Sequence, residues 1–451
     1  MPSDKNLRTL VLDTPNKIGQ KVKICGWVDV RRDHGKLIFL DVRDRTGIVQ
    51  AVINPKVSAE AHKTAQELRS EYVLEIQGKV NPRPENLINA KMATGTVEIE
   101  VADLKILVRA EALPFELDTA LNIDTYLDNQ PLALRSRKNQ AIFRIQSAIA
   151  QSFRDFLSGQ DFTEFQAPKI VAQAAEGGAE VFKVDYFDHK AYLAQSPQLY
   201  KQIMVGVFER VFTVTSVYRA EPHSTTRHLN EYVSLDMEMG FIKDHTDVMN
   251  VLNGWMTSLT KLLRKNNVSD LALLGMELPM VPKKIPMFKL KEAQKIIDKK
   301  YGTKATGLPD LDPEHERMIC KYVQEKFNSE FAFITHYPTK KRPFYTYPDE
   351  DDPETTKSFD LLFRGVEITT GGQRINDYEQ LLANIDKWGY RHENFSFYLE
   401  AFKYGMPPEG GCATGLERLT QKLVGVDNIK LATLFPRDMN RIDLSLGKLK
   451  L

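Results

Sequence analysis

Residues 217–241 read VYRAEPHSTTRHLNEYVSLDMEMGF. The two ends are rich in Val, Tyr, Leu and Met and suit short strands. Between them, residues 222–230 gather Pro, His, Ser, Thr, Arg and Asn, the composition of a loop. The stretch predicts two strands bracketing a basic loop. Arg219 falls on the first strand, where a planar guanidinium suits a phosphate or carboxylate because its fork donates two parallel hydrogen bonds. Glu221, two residues on, faces the same side and offers an acceptor to an amine edge. Taken in isolation, the same pattern describes a surface hairpin laced with salt bridges.

Two later stretches add to it. SFDLLFRGVEITTGGQR (358–374) reads as a hairpin turning at Arg364–Gly365, with Asp360 and Glu367 on its two arms. Two carboxylates facing one site beside arginines are what a magnesium–nucleotide complex requires; a hairpin with charged outer faces would read the same way. Thr370 and Arg374 follow, near the Gly371–Gly372 pair. GGCATGLERLTQKL (410–423) is a glycine-rich strand running into a helix with Arg418 in its first turns. Small residues let a ligand lie on the backbone, and the arginine can meet a terminal phosphate. The bland reading is glycine packing beneath a helix. The spacing excludes both the GxGxxG dinucleotide fingerprint and the GxxxxGK[ST] phosphate loop.

Further upstream, the chain from Arg137 shows a helical pattern with Ile142, Phe143, Ile145, Ile149, Phe153, Phe156 and Leu157 on one face, then a strand-like segment ending at Pro168. Strands such as Val211–Tyr218 alternate with helices such as Asp247–Leu263, which predicts a large mixed domain over 137–451. Residues 110–136 lack periodicity and read as a hinge. Residues 1–109 read as strands at Val22–Val28, Leu37–Val42, Ile48–Ile53, Tyr72–Val80 and Thr96–Val108, with a helical stretch Ser58–Arg69 between the third and fourth. Five short strands with one helix after the third is the element order of an OB-fold barrel, a fold that commonly binds oligonucleotides. The fold class expected is α+β.

Composition is compatible with this. The 451 residues hold 61 Lys+Arg against 60 Asp+Glu, with 42% hydrophobic and 27% charged residues, which is ordinary globular usage and excludes a largely disordered chain. Residues 1–109 carry 18 Lys and Arg against 14 Asp and Glu, a basic module of the kind that can meet a polyanion. No run of about 18 apolar residues predicts a membrane span, and MPSDKNLRTL lacks the pattern of a signal peptide, so a cytoplasmic protein is expected. Cys25, Cys320 and Cys412 are scattered, against a disulfide framework or a cysteine-based zinc site.

In their joint order, the helix–strand ending in Pro168, the RxE with its TxRH loop and the GLER strand–helix resemble motifs 1, 2 and 3 of the class II aminoacyl-tRNA synthetases. Within that class the chain resembles the aspartyl-tRNA synthetases along nearly its whole length, through GWVDVRRDHGKLIFLDVRDRTGIVQ (26–50), EGGAEVF (176–182), QSPQLYKQ (195–202), RAEPHSTTRHLNE (219–231) and LFPRD (434–438). The catalytic part is similar to the compact archaeal and eukaryotic type, while the barrel resembles bacterial ones in RRDHG and INAKMATG. The neighbouring readings are an asparaginyl-tRNA synthetase, opposed by Lys201 and QSPQ, and a non-catalytic synthetase-like tRNA-binding protein, opposed by the presence of Arg219, Glu367 and Arg418.

The resemblance implies a fold and a set of roles: an OB-fold anticodon-binding domain over 1–109, a hinge over 110–136, and a class II antiparallel-sheet catalytic domain over 137–451. The implied reaction is ATP-dependent activation of L-aspartate to aspartyl-adenylate, then transfer to the 3′ end of tRNA(Asp). Arg219, Arg418 and Lys201 are the implied catalytic residues. Around aspartate come Glu176, Ser196, Gln198, Lys201, Arg219, Asp236, Thr370 and Arg374, with Lys201 and Arg374 as the two cations that select a carboxylate over an amide. Around ATP come Arg219, Glu221, Arg227, His228, Leu229, Glu367, Gly415, Leu416, Glu417 and Arg418. Magnesium is assigned to Glu367 with Asp360 and Thr370, and the anticodon to Arg32, His34, Phe39 and Gln50. A homodimer is implied by motif 1. His34 and the Pro84–Glu85 region are similar to barrels that accept the anticodons of both tRNA(Asp) and tRNA(Asn); a strictly aspartate-specific enzyme is the opposing reading. One departure stands out: Glu409 in PPEGG occupies a position where the family usually has histidine.

Overall fold

The structure, a computed structural model, describes residues 8–172, 180–222 and 224–448. It divides into two compact units, Met1–Thr119 and Ala120–Leu451.

The first unit is a closed barrel. Its strands are β1 (Lys21–Asp33), β2 (Ile38–Arg43), β3 (Ile48–Ile53), β4 (Val73–Pro82) and β5 (Val97–Val108), arranged β1-β2-β3-β5-β4. Alternation explains the closure. In β2 and β3 the residues Ile38, Leu40, Val49, Ala51 and Ile53 point inward and are fully buried, while Phe39, Asp41 and Gln50 point outward. Each buried Val, Leu or Ile side chain here contributes roughly 1.5–3 kcal/mol. The helix Ala59–Gln66 follows β3, capped by Ser58, whose hydroxyl accepts from the Ala61 amide at 3.1 Å. Five strands and one helix stand in the predicted order.

The second unit is built on an eight-stranded sheet and a three-stranded one. The chain supplies β6 (Thr163–Glu164), β7 (Ile170–Val171), β8 (Lys183–Tyr186), β9 (His189–Leu193), β10 (Arg210–Tyr218), β11 (Glu231–Gly240), β12 (Met287–Lys289), β13 (Phe331–Thr335), β14 (Ser358–Phe363), β15 (Val366–Gln373) and β16 (Glu409–Gly415). The large sheet runs β12-β13-β14-β15-β16-β11-β10-β6, and the small one β7-β9-β8. The six inner strands of the large sheet are antiparallel; the edge strands β12 and β6 pair in parallel with their neighbours.

One face of the large sheet is apolar. The helices Arg137–Ser158 and His245–Asn266 cover it, and Ile145, Ile149, Phe153, Trp255 and Leu259 pack against Phe212, Leu235, Met237 and Phe359. Trp255 donates its indole N–H to Ser152 Oγ at 3.1 Å, so its one polar atom is satisfied inside the core. The period of two in β11 has a second consequence. With Leu235, Met237 and Met239 in that core, Ser234, Asp236 and Glu238 are carried to the opposite face, where they are also buried.

The β14–β15 hairpin turns at Arg364 and Gly365, with φ of 47° and 74°, between the paired residues Phe363 and Val366. Positive φ at both central positions is the two-residue turn that follows the twist of a hairpin. Residues 110–136, read from sequence as a hinge without periodicity, contain two short helices, Ile123–Asp128 and Gln130–Ala133. Neither completes two turns, so no repeating apolar face could announce it.

Candidate active site

Two cavities adjoin on the polar face of the large sheet. One, of about 480 Å³, is lined among others by Ser196, Gln198, Lys201, Arg342, Thr370 and Arg374. The other, of about 100 Å³, is lined among others by Glu221, Arg227, His228, Leu229, Gly415 and Arg418. Arg219, Tyr232, Ser234, Glu367, Thr370 and Ala413 line both.

The floor of the first cavity is a buried ion cluster. Lys201, on the helix Gln198–Phe208, is fully buried and places Nζ 2.9 Å from Asp236 Oδ1 and 3.1 Å from Glu238 Oε2, with a further hydrogen bond to the Cys412 carbonyl at 3.2 Å. Burial alone would drive off its proton, but the charges of Asp236 and Glu238 outweigh that and raise its pKa above the ordinary lysine value. Arg374 donates Nε to Glu238 Oε1 at 2.7 Å and Nη2 to the Gly411 carbonyl at 3.0 Å. Gly411 lies opposite Glu238 on the neighbouring strand, and a Cβ there would collide with the Glu238 carboxylate. The glycine is therefore what lets the acid reach under the arginine.

The sequence reading placed Lys201 and Arg374 together as two cations awaiting a carboxylate, and the structure brings them together. It also adds Glu238, which pairs with both and which sequence reasoning passed over. The available signal was alternation: Asp236 and Glu238 are two apart on one strand and must share a face. Ser196 Oγ accepts from the Gln198 amide at 3.2 Å, starting the helix. Glu176 lies outside the described residues.

Toward the second cavity the charges are wetter. Arg219 is about a third exposed, with Nη1 3.8 Å from Glu221 Oε1 and its guanidinium 5.9 Å from the centre of the Tyr232 ring. His228 stands with Nε2 3.7 Å from Glu221 Oε2 and Nδ1 2.6 Å from the Thr225 hydroxyl. Arg418, also about a third exposed, lies 3.8 Å from Glu367 Oε1 and donates to the Glu367 carbonyl at 3.3 Å. Arg227 donates to Glu316 Oε2 and to the Gly365 carbonyl, both at 3.1 Å. Glu316, on the helix Pro313–Phe327, is a second residue the sequence reading missed. Burial and the charge of Glu367 push its carboxyl up to about 7.

Four expected site residues have other engagements in the fold. Leu416 is 6% exposed and belongs to the hydrophobic core beneath the sheet rather than to the cavity floor. Glu417 borders the cavity, but both its oxygens accept from the Val233 amide, at 3.1 and 3.2 Å. Asp360 and Thr370 are tied to Arg342, which donates Nη2 to Asp360 Oδ2 at 2.7 Å and Nη1 to the Thr370 hydroxyl at 2.9 Å, while its guanidinium lies 3.9 Å over the Tyr337 ring. Thr370 also donates to Asp360 Oδ1 at 2.5 Å. Glu367 keeps its carboxylate in the cavity, and burial together with the neighbouring Asp360 charge raises its pKa. Among the described residues no group of three acid, His or Cys side chains could hold a metal unaided.

The barrel carries its own polar face. Arg32 makes two hydrogen bonds to Asp41, both 2.8 Å, and pairs across β1–β2 with Phe39. Phe39 is half-buried on the outer side, opposite in sense to Ile38 and Leu40, so it is not a core residue. The His34 ring meets it edge-on, with centroids 5.4 Å apart. Gln50 uses Oε1 to accept from Arg83 Nη2 at 2.7 Å, which leaves its amide N–H₂ as a donor.

Comparison with known proteins agrees with both units. Residues 122–439 match the family of class II tRNA synthetases (D, K and N), and residues 22–107 match the OB-fold nucleic acid binding domain. The chain is 45% identical to the aspartate–tRNA(Asp/Asn) ligase of Deinococcus radiodurans, over 96% of this chain and 98% of that one. It is 41% identical to the aspartate–tRNA(Asp) ligase of Thermococcus kodakarensis, over 94% and 96%. The crystal structure of asparaginyl-tRNA synthetase from Pyrococcus horikoshii complexed with asparaginyl-adenylate superposes with a TM-score of 0.89 at 29% identity, covering 97% of this chain and 99% of that one.

Proposed function

The chain belongs to the class II tRNA synthetases of the D, K and N family, and from that footing we propose how its two cavities divide the reaction and which tRNAs it charges. Its activity is that of an aspartate–tRNA ligase. The larger cavity receives L-aspartate and the smaller one ATP, with Arg219 between them. The single observation that carries this reading is the shared wall: a cation lining both cavities can hold the aspartate α-carboxylate against the α-phosphate.

The aspartate α-carboxylate is itself the nucleophile, so the protein needs to position reactants and offset charge rather than supply an attacking group. Arg219 stabilises the charge that builds on the α-phosphate, Arg227 and Arg418 hold the outer phosphates, and Glu221 reads the adenine amine. Lys201 and Arg374 meet the substrate side-chain carboxylate. Because Lys201 is already paired with Asp236 and Glu238, and Arg374 with Glu238, both are held rigidly, and an amide nitrogen would face their donors with no bond to make. Magnesium fits the site through Glu367 and the phosphates themselves, the usual manner for an ion that keeps few protein ligands, and it would supply neutralising charge there. Asp360 and Thr370 are engaged by Arg342, so Glu367 is the carboxylate that faces the phosphates.

The barrel of residues 1–109 serves as the anticodon-binding domain, with Phe39 as a stacking platform and Arg32 and Gln50 as polar readers. The His34 ring resting on Phe39 supports acceptance of both anticodons, and the chain is charged with making Asp-tRNA(Asn) as well as Asp-tRNA(Asp). It acts as a homodimer through the helix–strand that ends at Pro168. The deciding experiment is charging of separate tRNA(Asp) and tRNA(Asn) transcripts with labelled aspartate. Both should be aspartylated; charging of tRNA(Asp) alone would make the enzyme discriminating and reduce His34 to a loop residue.

A further inference from the structure

One carboxyl beneath the larger cavity has no part in the reaction described above. Glu409 opens β16, is fully buried, and accepts from Gln202 Nε2 at 2.8 Å through Oε1; its Oε2 has no partner among the described residues. Gln202 is fully buried as well. With its nitrogen committed to Glu409, its oxygen faces the other way and accepts from Gln198 Nε2 at 3.0 Å and from the Tyr398 hydroxyl at 3.3 Å. Gln198 is then oriented in turn: its nitrogen is used on Gln202, and its oxygen faces Arg374 Nη2 at 3.5 Å.

The result is a chain of hydrogen bonds with one direction of donation, from Arg374 through Gln198 and Gln202 to Glu409. An amide has a donor end and an acceptor end, so each link constrains the next. Reversing Gln202 would reverse Gln198 and turn an N–H₂ toward a guanidinium, two donors face to face. Arg374 is otherwise held by Glu238 and the Gly411 carbonyl, which leaves Nη1 as the nitrogen with no protein partner among the described residues. The backbone adds a direct tie, since the Arg374 amide donates to the Glu409 carbonyl at 2.9 Å.

We propose that Glu409 is a positioning residue that sets the polarity of this chain and, through Gln198, aims the Arg374 guanidinium so that a side-chain carboxylate is accepted and its amide refused. The proposal rests on the larger cavity being the aspartate site. Burial and the charge of Glu238 raise the Glu409 pKa above its ordinary value, and it is Oε1 that accepts from Gln202.

Two variants of the full chain separate this from a packing role, read by ATP–pyrophosphate exchange with aspartate and with asparagine. Glu409→Gln keeps a carbonyl oxygen for Gln202, and its KM for aspartate should stay within about twofold of the wild type. Glu409→Leu removes the acceptor; its KM for aspartate should rise roughly tenfold, its preference for aspartate over asparagine should narrow, and its KM for ATP should stay within about twofold, as expected for an unmade buried hydrogen bond. Should Glu409→Leu not fold, Gln202→Leu breaks the same chain one link nearer and should give the same split. An unchanged aspartate KM in the leucine variants, or aspartate and ATP KM values moving together, would overturn the proposal. Wild-type exchange with aspartate is the control for the site itself: without it the reading of the cavity fails, and the proposal with it.

Discussion

The aspartate cavity and the nucleotide cavity share a wall but handle charge in opposite ways. Beneath the first, Lys201, Asp236, Glu238 and Arg374 are at most 5% exposed, and every charge is paired before substrate arrives. Around the second, Arg219 and Arg418 are about a third exposed, and Glu221 and Glu367 respectively stand 3.8 Å from them. The difference suits the two ligands. Aspartate must be told from an amide of nearly the same shape, which demands rigid, dehydrated partners. ATP carries several charges and arrives hydrated, so flexible guanidinium groups that close on it serve better. Rigidity in the first cavity also makes it fragile, because removing one member strands a buried charge.

The largest effect should come from breaking that cluster. Arg374→Ala leaves Glu238 with half its counter-charge, and a broken buried pair costs about 3–5 kcal/mol. ATP–pyrophosphate exchange should show kcat/KM for aspartate falling by about a thousandfold, on the conversion of 1.4 kcal/mol per factor of ten. A loss under tenfold would mean that the cluster is not the selecting element. On the other side of the wall, Arg418→Ala should lower kcat by about a hundredfold, the scale of a lost charge-stabilising donor. Its KM for aspartate should stay near the wild-type value; a parallel rise would show that the two cavities are not energetically separate.

An effect on stability rather than on rate concerns Glu417, at the border of the nucleotide cavity, whose carboxyl burial pushes up to about 8. In the unfolded chain it ionises near 4.5, whereas the folded protein keeps the proton until about pH 8. Between those values the unfolded state binds fewer protons, so this group lowers stability as pH rises through the window. Glu417→Gln removes that slope. Its stability relative to the wild type, measured by urea unfolding, should improve from pH 5 to pH 8 by about 3 kcal/mol, at roughly 1.4 kcal/mol per pH unit. A difference independent of pH would place the Glu417 pKa in the ordinary range.

Much of the fold was legible along the chain. The barrel strands show period two, the helix Arg137–Ser158 shows its apolar stripe, and Arg364–Gly365 reads as a tight turn, because each of these is decided by neighbours a few residues away. The site was legible in pieces for the same reason. Arg219 and Glu221 share a strand face, and Arg418 starts a helix after a glycine-rich strand. The roles of Leu416 and Glu417 were less so, since which side of a helix turns to the core depends on what packs there. No local pattern marked Glu316 or Arg342 at all: each matters only because a distant segment, Arg227 in one case and Asp360 in the other, comes beside it.

The order of residues thus established the strands, the helices, the barrel and the kind of chemistry at each motif, since period, turn residues and side-chain type are properties of short segments. Folding settled which charges meet. Lys201 reaches the Cys412 carbonyl across 211 positions and Gln202 reaches Glu409 across 207, so the counter-ions that stiffen the aspartate cavity, and the amide chain that aims Arg374, exist only once β11, β15 and β16 lie side by side.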